Sequence, residues 1–280
     1  ILGALTSTNT AQTIAIADKK KIPVIAPVAT NDKLTEKREF ANRVCFTDSF
    51  QGEVVARFAK AQGYKTAVVI VDQSQVYSIG LSKAFETAFK NDGGQILKSI
   101  KVTSGDKDFK AVVSQIKETN PDFMFLPLYH PEASMIARQS KQLGLEKPMF
   151  SGDGVANQTF IDLGGDAVNG YMFTDFFDYT NPPSQKSADF VAYHEKETGK
   201  AEMNSFTALG ADTYNILIDA MNRCEDPTNS VCINEQIKKT TDFDGVSGKI
   251  TINKEGNATR SAVIKEVKDG KAVFKATVNP

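Results

Sequence analysis

Two rhythms of apolar and polar positions alternate along the first two thirds of the chain. Short β-branched or aromatic runs read as strands, and the stretches between them carry apolar residues every three or four positions, as amphipathic helices do. Residues 22–30 form a strand ending in proline and small residues. Residues 66–72 (TAVVIVD) stay apolar until Asp72, as a parallel strand covered on both faces requires. A helix over 78–91, a strand over 95–103 and a helix over 107–119 follow. Residues 122–128 predict another buried strand, and 131–144 a helix opened by Pro131 and ended by Gly144. Strands over 148–152 and 170–177 complete the series, and Val44–Cys45–Phe46 also reads as strand.

Beyond Phe177 the pattern turns helical over 184–198, 205–223 and 233–240. Residues 261–278 then read as a hairpin turning at Asp269–Gly270. The alternation predicts an α/β fold with parallel sheets and right-handed crossovers. In such sheets ligands gather at the carboxyl ends of strands.

Composition narrows the function classes. The 280 residues are 41% hydrophobic and 24% charged, an ordinary globular balance. Lys and Arg number 33 against 34 acids, a net charge of −1, which argues against a nucleic-acid partner. No run approaches the roughly 20 apolar residues of a membrane span. The chain opens inside an apolar run, ILGALTS, so residue 1 reads as an internal position of a longer product. Cys224 and Cys232 flank a short polar loop and are either a disulfide or two thiols near helix ends. Cys45 reads as a small core residue. With only His130 and His194, and no close Cys/His spacing, no metal or other cofactor is expected. Nucleophile-elbow, phosphate-loop and dinucleotide fingerprints are absent from the sequence, which disfavours an α/β enzyme.

Four strand ends, and Tyr77 just past a fifth, carry candidate binding chemistry. Ser7 and Thr8 precede a helix expected over 9–19; they either cap it or join its open amides in holding a carboxylate. Thr30 either adds to that carboxylate set or caps the turn at 32–38. Asp153, between Gly152 and Gly154, is either a turn aspartate or an acid facing a substrate ammonium. Tyr77 and Tyr129 are either packed rim tyrosines or walls for an apolar ligand.

The segments TSTNTAQ, IPVIAPVATNDKLT, FQGEVVARFA, DFMFLPLYHPEA, GDGVAN and FDGVSGKITINKEGNA resemble the type I periplasmic binding proteins for leucine, isoleucine and valine, in order and almost to Pro280. The resemblance implies two α/β lobes, 1–48 with 177–263 and 49–176 with 264–280, hinged to close over ligand. An N-terminal strand-helix portion and a signal peptide would lie ahead of residue 1. It further implies an extracytoplasmic protein that captures an apolar amino acid for the membrane permease of an ABC importer, monomeric when full length. A ligand sensor of the same fold, for an amino acid, amide or urea, is the alternative. By resemblance Ser7 and Thr30 bind the ligand carboxylate, with Thr8 and Ala29 beside them. Val28 offers its carbonyl to the ammonium, Asp153 pairs with that ammonium, and Tyr77 and Tyr129 line the wall. The sequence departs from the pattern in three places. Asp153 replaces a longer Glu, Val28 is bulkier than usual, and one extra residue lies near Tyr77.

Overall fold

The computed structural model describes residues 1–280, which divide into two compact units. The first comprises Ile1–Thr47, Phe176–Ala262 and Asn279–Pro280; the second comprises Asp48–Asp175 and Val263–Val278.

In the first unit, α1 (Ser7–Ala17) packs Ile14 and Ala17 on β1 (Val24–Ala26), which pairs in parallel with β2 (Ala41–Arg43). The segment after β1 ends at a single 3₁₀ turn, Asp32–Leu34. Val44, Cys45 and Phe46 are buried but irregular: the strand closes at Arg43, and the expected strand here is corrected to β2, just upstream. The rest of this unit is α7 (Gln185–Thr198), α8 (Ser205–Asn222) and α9 (Ser230–Ile237), with a small antiparallel sheet of order β10-β9-β8. Its strands are Phe243–Gly245 (β8), Gly248–Ile252 (β9) and Ala258–Thr259 (β10). A Cys224–Cys232 disulfide joins the end of α8 to α9, with Cα atoms 6.1 Å apart.

In the second unit, β3 (Thr66–Asp72), β4 (Gln95–Val102), β5 (Phe123–Phe125), β6 (Met149–Ser151) and β7 (Met172–Asp175) run parallel. The terminal hairpin β11 (Ala262–Lys268) and β12 (Lys271–Val278) extends this sheet, β11 lying antiparallel to β7. The order β12-β11-β7-β6-β5-β3-β4 places β6 and β5 centrally, and the loops at their carboxyl ends carry Asp153 and Tyr129. Val68, Val69 and Ile70 of β3 are fully buried because helices cover the sheet. These helices are α2 (Asp48–Ala61), α3 (Val76–Asn91), α4 (Lys110–Thr119), α5 (His130–Gln142) and α6 (Gln158–Gly164).

Helix α3 buries Tyr77, Ser78, Leu81, Ser82, Phe85 and Phe89, a stripe at three- and four-residue spacing. Phe85 contacts the rings of Phe123 and Phe125 from β5, centroid to centroid 5.9 and 4.3 Å. Helix α2 crosses α3 at Gly52, where an added Cβ would lie 2.6 Å from the Phe85 nitrogen. Only glycine permits so close an approach of two helix backbones. No helix is long and apolar enough to cross a membrane.

Candidate functional site

In the first unit, Ser7 is not the cap of α1. Thr6 takes that role, its hydroxyl accepting the Asn9 N–H at 3.4 Å, and Ser7 opens the helix itself. The buried Ser7 Oγ accepts the Asn31 N–H at 3.3 Å, which ties the helix start to the loop after β1. Asn31, rather than Thr30, caps the 3₁₀ turn by accepting the Lys33 N–H at 3.1 Å. Thr30 is thereby left with a hydroxyl that is buried and without a hydrogen-bond partner. A buried hydroxyl in that state is destabilising unless a ligand completes it. Thr8 is half-buried on the first turn, whereas Val28 and Ala29 are buried.

The loop that carries Thr30 is held by a residue that patterning does not single out. Arg43, fully buried at the end of β2, donates Nη1 to the Ala29 carbonyl at 3.0 Å and Nη2 to the Asn31 carbonyl at 2.8 Å. The Cys45 thiol donates to the same Ala29 carbonyl at 3.3 Å, so Ala29 contributes anchored backbone. An arginine beside the apolar Val44–Phe46 run was the available signal, because a buried guanidinium needs fixed acceptors.

In the second unit Asp153, Tyr77 and Tyr129 come together. Asp153 opens a 3₁₀ turn after β6 and is 5% exposed. Gln51, in the first turns of α2, donates Nε2 to Asp153 Oδ1 at 2.8 Å. The Tyr77 hydroxyl accepts the Gly154 N–H at 3.1 Å, and the Tyr77 and Tyr129 rings stack at 5.1 Å and 24°. An added Cβ at Gly152 would fall 2.4 Å from both Gln51 Oε1 and the Tyr77 hydroxyl oxygen. At Gly154 it would lie 2.6 Å from the Leu128 carbonyl oxygen. Both glycines are therefore required by close packing at the acid.

The electrostatics of the acid are distinctive. No lysine, arginine or histidine pairs with Asp153. Burial raises its carboxyl from 3.8 to about 7; Gln51 opposes that rise, Asp175 adds to it, and a hydrogen bond with Tyr77 opposes it. Burial likewise raises the Tyr77 phenol well above its ordinary range, and the neighbouring Asp153 adds to the effect. Asp175 has its own cation, Lys265 Nζ at 2.7 Å. His130 begins α5, half-buried, with burial lowering its imidazole pKa.

A family model described as periplasmic binding protein matches residues 1–272. The chain belongs to this family, in the type I branch that includes the leucine/isoleucine/valine-binding proteins. It is 28% identical over 262 residues to the Leu/Ile/Val-binding protein BraC3 of Rhizobium johnstonii, covering 92% of this chain and 70% of the relative. The crystal structure of the leucine-binding protein LivK from Thermotoga maritima aligns over 100% of this chain and 79% of its own, at 38% identity and TM-score 0.97. LivJ from Streptococcus pneumoniae, a branched-chain amino acid transporter substrate-binding protein solved with isoleucine, aligns over 100% and 79% at 28% identity and TM-score 0.90.

Proposed function

We propose that the protein captures an apolar, branched-chain amino acid and delivers it to the permease of an ABC importer. The observation that carries this reading is Asp153, a buried carboxylate without a protein cation. Such a group is unfavourable alone and favourable once an ammonium reaches it. Thr30 supplies the complementary feature, a buried hydroxyl awaiting an acceptor or donor. With Ser7 and Thr8 at the positive end of the α1 dipole, it suits a ligand carboxylate. Val28 contributes its backbone carbonyl to the ammonium, and the stacked Tyr77 and Tyr129 rings offer an apolar wall.

Each charge-assisted hydrogen bond contributes about 1.5–3 kcal/mol and a leucine-sized side chain about 1.5–3 kcal/mol more. A few of these, less ordering costs, reach the roughly −8 kcal/mol of a micromolar binder. The lobes are assigned as 1–48 with 177–263 and 49–176 with 264–280. The working location is the periplasm or the outer face of the cytoplasmic membrane. The full-length protein acts as a monomer without catalysis, and nucleic acid is no partner. The names of BraC3, LivK and LivJ support the ligand class.

A thermal-shift screen of the twenty amino acids, urea and short amides tests the reading. Stabilisation confined to apolar amino acids is expected. Stabilisation by amides or urea instead would overturn the ligand class and favour a sensor of the same fold.

A further inference from the structure

Beside Asp153 lies a polar side chain only half engaged in hydrogen bonding. Gln51 is fully buried; its Nε2 donates to Asp153 Oδ1 at 2.8 Å, and its Oε1 has no partner. A buried amide oxygen without a donor is destabilising, a penalty that an apolar residue of the same length avoids. Packing alone therefore gives no reason for an amide at this position, whereas the bond to Asp153 does. The bare backbone of Gly152 lets the amide and the Tyr77 phenol converge beside the acid.

We propose that Gln51 is a positioning residue for ammonium recognition: its amide fixes the Asp153 carboxylate through Oδ1 and keeps it anionic towards a ligand ammonium. This rests on the reading of Asp153 as the ammonium acceptor. The bond from Gln51 is the largest influence lowering the Asp153 pKa, against the larger opposing effect of burial. Without the donor, a greater share of the acid is neutral near pH 7 and the ammonium loses its counter-ion.

The other titratable or charged groups on elements around Asp153 are Asp48, Glu53, Arg57 and Lys60 on α2, Tyr77, Lys83, Glu86 and Lys90 on α3, Tyr129 just before α5, His130, Glu132, Arg138 and Lys141 on α5, and Asp175 on β7. Asp175 is paired with Lys265, and Glu132 accepts the Gly105 N–H at 2.9 Å. Tyr77 also lowers the Asp153 pKa through a hydrogen bond, but by less than the Gln51 amide does.

The test is calorimetric titration of leucine into the wild type, Gln51→Met and Asp153→Asn from about pH 6 to about pH 9. Gln51→Met is expected to weaken binding about 10- to 100-fold near neutral pH, the equivalent of one charge-assisted hydrogen bond. Most of that loss should be regained by about pH 9, where the acid ionises without its donor. Carbon-13 titration of the Asp153 carboxyl should move upward in the same variant. Wild-type affinity at every pH overturns the inference, and so does a uniform loss at every pH, which marks a packing role. Should Gln51→Met not fold, Gln51→Asn, whose amide stops one methylene short, is read the same way. Asp153→Asn with undiminished leucine binding would remove the underlying reading of the acid. Loss of binding in Asp153→Asn beside an unaltered Gln51→Met would sink only the role of Gln51.

Discussion

The hydroxyl of Tyr77 accepts the backbone N–H of Gly154 at 3.1 Å, so the start of α3 is fastened to the residue after Asp153. The same phenol stacks on Tyr129, which precedes α5. Three loops at the carboxyl ends of parallel strands are thus tied into one rigid wall, and the acid is held within it.

That wall makes Gly154 sensitive. A Cβ there meets the Leu128 carbonyl oxygen at 2.6 Å, a backbone atom that cannot turn aside. Gly154→Ala is expected to destabilise the fold by about 1–3 kcal/mol and to weaken leucine binding. Gly210→Ala, in α8 with open space around its Cβ, is the control and should be neutral or slightly stabilising. Chemical denaturation with leucine titration reads both.

Asp153 couples stability to pH. Its folded pKa, about 7, lies above the ordinary 3.8, so its favourable contribution is present below about pH 4 and is lost as pH rises through 7. Asp153→Asn removes this dependence. Free of ligand, the variant should be more stable than wild type at about pH 8, by on the order of 1–4 kcal/mol, while losing leucine affinity. Equal stability of the two proteins at both ends of the range would contradict the assignment.

Thr30 separates function from folding in the same way. Its hydroxyl is buried and unpartnered, so the isosteric Thr30→Val should leave the ligand-free protein as stable or more so. Leucine affinity should fall roughly tenfold, the value of one hydrogen bond to a charged group. A loss of stability without a loss of affinity would show that the hydroxyl serves the fold.

Arg43 should act on binding without touching ligand. Lysine cannot reproduce a fork that reaches the Ala29 and Asn31 carbonyls together. Arg43→Lys is expected to lower stability by about 1–3 kcal/mol through an unsatisfied buried carbonyl, and to weaken leucine binding through the Thr30 loop. Equilibrium unfolding and calorimetry on one preparation measure the two effects.

The disulfide is a separate matter. Joining cysteines eight positions apart contributes about 2.5 kcal/mol by loop closure. Cys224→Ser with Cys232→Ser should lower the unfolding midpoint and leave leucine affinity within about twofold of wild type.

How much of this was legible in the sequence follows from how local each signal is. Strand β3 was readable to the residue because burial on both faces leaves an unbroken apolar run from Thr66 that ends at Asp72. The closing hairpin was readable from Asp269–Gly270, where both residues have positive φ. Helix α2 was not, since Gly52 breaks its helical signal and earns its place only through the approach of α3. Val44–Phe46 looked like a strand because burial, not pairing, makes it apolar. The glycines flanking Asp153 left a turn aspartate and a ligand-facing acid both open. The acid's partner Gln51, however, is 102 positions away, and no local pattern links the two. The same holds for Arg43, whose acceptors depend on how the loop after β1 folds back.

The central claim is that a ligand ammonium completes the buried Asp153 carboxylate. The most direct measurement is calorimetric titration of the wild-type protein with leucine and with 4-methylpentanoate, which is leucine without its amino group. Micromolar binding of leucine with at least tenfold weaker binding of the deaminated acid is the predicted result, about one charge-assisted hydrogen bond apart. Equal affinities for the two compounds would contradict it, because a site indifferent to the ammonium does not use Asp153 as its counter-ion.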